Sequence, residues 1–231
     1  MPCHGTNRDG ARHRPTTWRG VEVAESDVAV YGDLFRRDHQ GDYDPQFNIT
    51  ELLAKASGVF AAHDHEVDLD ELVKLLSDQH LHRLLAQASA YLDQEEIRHA
   101  AQARLEEVIG ADTEVVIAHS LGTIVADETL SRHPEWEVNG LVTMGSPLGG
   151  EMVVGPHDPA PNDDRAVFPV GVDRWVNRRN THDPDCIRPL TEVFDGTITE
   201  RLVDNRHRMH DPERYLNNST TGGAIAGMLS V

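Results

Sequence analysis

Residues 115–126 read V-V-I-A-H-S-L-G-T-I-V-A, and the character of the stretch changes at Ser120. Ahead of it, Glu114, Val115, Val116, Ile117 and Ala118 form a short, nearly all-apolar run, the pattern of a strand covered on both faces. Behind it, a helix is expected from Leu121 to about Arg132, with Pro134 just past its end. Residues 138–144 (V-N-G-L-V-T-M) then read as the next strand. This alternation of short buried strand and helix predicts an α/β fold built on a mostly parallel sheet flanked by helices.

A serine at the tip of a tight strand-to-helix turn sits on strained backbone, and small residues two positions to either side let strand and helix pack closely. Ala118 and Gly122 occupy those places, Ala118 standing where the usual pattern has a glycine. Such a turn aims the N–H of the following residue, Leu121, at a developing oxyanion beside a helix N-terminus. The competing reading makes Ser120 a plain N-cap, a role that serine fills readily. The strand before it and the helix after it favour a nucleophile. A serine hydroxyl is a poor nucleophile unless a histidine takes its proton and a carboxylate orients that imidazole. On this architecture the chain order is serine, acid, histidine.

Downstream, residues 146–170 are rich in Pro, Gly and Asp and read as a long irregular loop. Residues 173–177 and 198–203 read as strands, and residues 211–229 as weakly helical with a break at Gly222-Gly223. Upstream, residues 27–31 (D-V-A-V-Y) suggest a strand. Apolar residues at helical spacing follow over 49–60 and 69–85, with His63-Asp64-His65 as a hinge between them. A third helix is expected from about Leu92 to Val108, ending before Gly110. No repeat or linker divides the chain, so residues 1–231 read as a single domain.

The chain has 231 residues, of which 39% are apolar, enough for one sizeable core. Its net charge of -18 repels phosphate backbones and anionic lipid head groups, which argues against nucleic acid or a membrane surface as the main partner. No apolar stretch approaches the roughly 20 residues that span a bilayer. Residues 1–17 are polar and basic, without the apolar core of a secretion signal, and a cytoplasmic protein is the expectation. Cys3 and Cys186 read as ordinary free thiols. His63-x-His65 and His207-x-x-His210 lack the helical i, i+4 pairing with a glutamate base, so no metal site is expected. No Gly-rich loop has the spacing of a nucleotide-binding motif.

Taken together, A-H-S-L-G around Ser120, L-V-T-M-G-S-P-L-G from Leu141, W-V-N from Trp175 with an aspartate soon after, and His210 leading to Tyr215-Leu216 resemble the lipase/esterase-like branch of the α/β-hydrolase superfamily. The likeness covers roughly the C-terminal half of the chain. It implies that Ser146 is a structural turn residue and that the acid follows the W-V-N strand. Asp183, just before Pro184, is the choice there, with Asp185 in reserve. It further implies that the histidine lies after the last strand, His210 preferred over His207, with Asp211 and Pro212 opening a terminal helix. Residues 38–92 would be a helical insertion, a cap over the site. The second oxyanion N–H would come from Gly5 or Thr6 in His4-Gly5-Thr6. Residues 1–3 are too few for the strand that should precede that piece, so the N-terminal strands are expected to be missing, and losing one oxyanion donor costs about 10² to 10³ in rate.

The activity this implies is hydrolysis of a carboxylic ester, or a lipid or thioester, through an acyl-enzyme on Ser120. The partner would be a small-molecule ester or acyl substrate, and no cofactor is required. A serine peptidase or amidase and a non-catalytic binding protein of the same fold are the alternatives.

Overall fold

In the computed structural model the described residues are 17–18, 21–22, 26–35, 79–150, 153, 165–180, 188–206 and 208–229, with side chains from residue 86 onward in the first helix. Thr17–Trp18 (β1) and Val21–Glu22 (β2) form a small antiparallel ladder. The main sheet holds Val115–His119 (β3), Gly140–Met144 (β4), Trp175–Arg179 (β5) and Ile198–Leu202 (β6), all parallel and in that spatial order. Among the described residues the α-helices are Gln79–Asp93 (α1), Glu95–Glu106 (α2), Leu121–Arg132 (α3), Leu190–Val193 (α4), Pro212–Leu216 (α5) and Ser219–Leu229 (α6), with short 3-10 turns at Gly32–Phe35 and Pro147–Gly149. The α/β fold with a parallel sheet flanked by helices is therefore present as expected.

The alternation of side chains along each strand divides the core in two. Val116, Ala118, Leu141, Trp175 and Ile198 face one side, where Ala88, Tyr91, Ala101, Ile124 and Leu130 cover them. Val142, Met144 and Val176 face the other, under Tyr215, Ile225 and Met228. Every residue of β4 is buried, as befits a central parallel strand. β3 departs from the expected double cover, for Ile117 stays 44% exposed. It is the outermost strand of the described sheet, and an outer strand needs no second apolar face.

A polar contact locks β4 against β5. Thr143 and Asn177 are register partners, and the Thr143 hydroxyl donates to Asn177 Oδ1 at 2.9 Å while accepting from Trp175 Nε1 at 2.8 Å. All three side chains are buried, so a register slip would strand their polar atoms without partners.

Several boundaries differ from the sequence expectation. Residues 27–31 take no regular structure, and Val28 and Val30 are 77% and 66% exposed. A β-prone run without a ladder partner gains nothing from extension, and here just Tyr31 packs on the core. Helix α1 runs on to Asp93 and α2 begins at Glu95, so the interruption falls at Gln94. β4 begins at Gly140, two residues late, Val138 making an isolated bridge to Val172 instead. β5 spans Trp175–Arg179 and not 173–177.

Gly222 and Gly223 do not break the last helix. Each glycine costs roughly 1 kcal/mol in a helix, but Ile225 and Met228 one turn on are buried against the sheet and hold α6 in place. The break lies at Asn217–Asn218, where Asn218 Oδ1 accepts from the Thr220 N–H at 2.9 Å and acts as the cap. Of the expected insertion at 38–92, residues 38–78 lie outside the described residues. The remainder forms most of α1, which packs on α2 and α3.

Candidate active site

Ser120 joins the last residue of β3 to the first of α3, and it belongs to both. Its N–H donates to the Met144 carbonyl at 3.0 Å, extending the sheet ladder by one step. Its carbonyl already accepts from the Thr123 N–H at 2.9 Å, the first bond of the helical turn. The chain therefore reverses direction within a single residue, at φ 54° and ψ -132°. That φ is in the region that favours glycine, and a non-glycine residue there is strained by about 1–3 kcal/mol. An N-cap has extended backbone with negative φ and spends its side chain on the helix. Ser120 does neither: its hydroxyl makes no cap hydrogen bond.

A short hydrogen-bond chain holds the turn from below. The Thr123 hydroxyl donates to the Ser120 carbonyl at 2.7 Å and lies 2.8 Å from Ser146 Oγ. One hydroxyl has one proton, so Ser146 must be the donor in the second contact. Ser146 Oγ in turn accepts from the Leu148 N–H and caps the short turn Pro147–Gly149. The hydroxyl of Ser146 is thus engaged on both sides as a bracket behind the elbow.

Leu121 is the first residue of α3, and its N–H has no carbonyl within the helix to bond. At the next position a β-carbon on Gly122 would stand 2.8 Å from the hydroxyl oxygen of Tyr31. The small residue expected there for close strand-to-helix packing is in fact needed for this aromatic side chain. Burial pushes the Tyr31 hydroxyl up to about 12, so it stays protonated at the mouth of the helix.

His210 lies across the end of the sheet, beside the residue that precedes Ser120. The His119 and His210 rings have centroids 4.6 Å apart, and His119 Nε2 lies 2.9 Å from the His210 carbonyl oxygen. Tyr215 of α5 stands behind His119 at 6.0 Å between ring centroids. Asp211 caps α5 by accepting from the Glu213 N–H at 2.9 Å and is paired with Arg208, and Pro212 occupies the first turn as expected. Among the sequence candidates, Ser120, Leu121 and His210 are thereby gathered at one end of the sheet. Asp183, Asp185, His207, Gly5 and Thr6 lie outside the described residues, as do His63 and His65.

Sequence reasoning passed over Thr123, Tyr31, Asn180 and Asn205. Thr123 sits three residues past the serine, where a hydroxyl can fold back onto the turn, a spacing that could have marked it. Tyr31 and the two asparagines reach the site from remote segments, and no local pattern announces them.

No protein-family model, curated protein or solved structure matches this chain.

Proposed function

We propose that the chain is a serine hydrolase acting on carboxylic esters, of the lipase/esterase-like α/β-hydrolase kind that its motifs resemble. The observation that carries this reading is the backbone of Ser120, strained at positive φ on a strand-to-helix turn while its hydroxyl caps nothing. Strain of this kind is retained where the surrounding structure enforces it, and it gathers at functional positions. His210 beside His119, and four parallel strands ending on the same side, support the reading.

In the reaction, Ser120 Oγ bonds to the ester carbonyl carbon as its proton passes to the His210 imidazole. The C–O bond to the alcohol then breaks, and the imidazolium returns the proton to the leaving alkoxide. Water, giving a proton to His210, attacks the acyl carbon; the bond to Ser120 Oγ breaks, the imidazolium returns the proton to that oxygen, and the acid leaves. Asp183 is the carboxylate assigned to orient His210, and the Leu121 N–H, with one from Gly5 or Thr6, is assigned to the oxyanion. No helix among the described residues is long and apolar enough to cross a membrane.

A fluorophosphonate probe tests the proposal, since it forms a covalent bond with an activated serine. Labelling should be stoichiometric, vanish in Ser120→Ala and persist in Ser146→Ala. A folded wild-type protein that takes up no label would overturn the reading in favour of a non-catalytic protein on the same fold.

A further inference from the structure

A catalytic imidazole must be aimed as well as present, and its Cα–Cβ bond is set by the two peptide planes on either side. Both planes at His210 are anchored. The Met209 carbonyl accepts from Asn180 Nδ2 at 3.2 Å and from Asn205 Nδ2 at 3.0 Å, filling both of its acceptor positions. The next carbonyl, that of His210 itself, lies 2.9 Å from His119 Nε2. A carbonyl accepts, so His119 carries its proton on Nε2.

The three donors come from three different strand ends. His119 closes β3, Asn180 follows β5 directly, and Asn205 stands three residues beyond β6. Asn180 and Asn205 are 1% and 3% exposed, whereas Met209 is 37% exposed. Two buried side chains are thus committed to one backbone carbonyl of a partly exposed loop.

We infer that His119, Asn180 and Asn205 are positioning residues that aim the His210 imidazole at Ser120, an inference that rests on the hydrolase reading above. The two asparagines act on the Met209 carbonyl, and His119 acts on the His210 carbonyl while its ring lies beside the His210 ring, 4.6 Å between centroids. They act by denying the His210 backbone the rotation that would carry its ring away from the serine. Misplacing a catalytic group by about 1 Å can lower a rate 10²-fold.

The experiment has three arms, all on the full chain. Labelling of wild type by a fluorophosphonate comes first, and its absence overturns the hydrolase reading together with the catalytic purpose of the clamp. Next, Asn180→Asp and Asn205→Asp keep the side-chain shape but turn an oxygen toward the Met209 carbonyl. Hydrolysis of 4-nitrophenyl acetate should then lose about 10- to 100-fold in kcat with KM within about twofold. Kinetics within twofold of wild type in a variant with unchanged circular dichroism would overturn the clamp.

The third arm does not depend on those variants folding. His119→Gln places an amide N–H near the position of Nε2, whereas His119→Leu has no donor. His119→Gln should recover at least tenfold over His119→Leu in kcat, and equal rates would overturn the role of His119. The ¹H–¹⁵N signals of the His210 ring provide a readout without turnover. They should shift and broaden in Asn205→Asp and His119→Leu, and signals identical to wild type in a folded variant would sink the clamp even in an inactive protein.

Discussion

The N–H of Ser120 still belongs to the sheet, donating to the Met144 carbonyl at 3.0 Å, while its own carbonyl belongs to helix α3. One residue thus makes the whole reversal, and the price is a φ of 54° on a side chain other than glycine. A turn spread over several residues would avoid the strain. It would also move the hydroxyl away from the helix N-terminus.

This strain can be measured. Ser120→Gly removes the hydroxyl and the steric conflict together, whereas Ser120→Ala removes the hydroxyl alone. Ser120→Gly should therefore be more stable than Ser120→Ala by about 1 kcal/mol, the reverse of the order in an ordinary helix or strand. Urea unfolding of the two variants checks the sign, and a more stable alanine variant would remove the case for strain.

Gly122 and Tyr31 make a second prediction. A methyl group at 122 would meet the Tyr31 hydroxyl at 2.8 Å, so Gly122→Ala forces the ring aside. Displacing this half-buried ring should cost about 1 to 2 kcal/mol, and the better helix propensity of alanine returns up to about 1 kcal/mol, leaving a small net loss. Tyr31→Phe shortens the obstructing side chain. The double variant Tyr31→Phe, Gly122→Ala should recover part of the loss, so the two changes should be non-additive in a thermal-melt cycle.

The helices over the elbow are tied by a buried polar cluster centred on Glu128, which is wholly inaccessible. Its Oε2 accepts from the Tyr91 hydroxyl at 2.7 Å and from Gln102 Nε2 at 3.0 Å, with Arg98 Nε 3.4 Å away. Glu128→Ala should cost about 3 to 5 kcal/mol, because it leaves buried donors and a cation without their carboxylate. Burial, followed by the Glu128 charge, drives the Tyr91 hydroxyl well above its ordinary 10.0. The folded state then holds a proton that the unfolded chain releases above about pH 10, so stability should fall as pH rises beyond that point. Tyr91→Phe should weaken that fall in chemical-unfolding curves.

His133 governs a gentler pH range. The Glu135 carboxylate, 2.9 Å from Nδ1, raises its pKa above 6.5; partial burial opposes this, and Glu106, 3.1 Å from Nε2, adds to the rise. A raised pKa in the folded state means a contribution fully present below about pH 6.5 and lost as pH climbs through the higher folded value. Wild type should therefore lose more stability than His133→Gln between about pH 6 and pH 9. Parallel slopes in urea titrations would show that the two carboxylates do not hold the imidazolium.

The expected elements were most accurate on either side of the elbow. Residues 114–118 and 121–132 came within a residue of β3 and α3, because a strand and the helix after it have different periodicities and meet sharply at Ser120. Residues 27–31 failed for the opposite reason: a β-prone run is a strand just when a neighbour supplies the ladder. The glycines of α6 misled because propensity is a matter of about 1 kcal/mol per residue, less than burying Ile225 and Met228 contributes.

Sequence alone determined the alternation of strand and helix, the parallel sheet and the position of Ser120, because these rest on local periodicity and on which residues suit a sharp turn. It also singled out His210 as a residue that could serve Ser120. Tertiary structure decided that Ser120 sits at positive φ with its hydroxyl uncommitted to the helix, that Tyr31 is what Gly122 makes room for, and that Asn180, Asn205 and His119 converge on the backbone around His210. Those are relations between segments far apart in the chain, and hydrogen bonds between remote residues leave no period and no spacing to read.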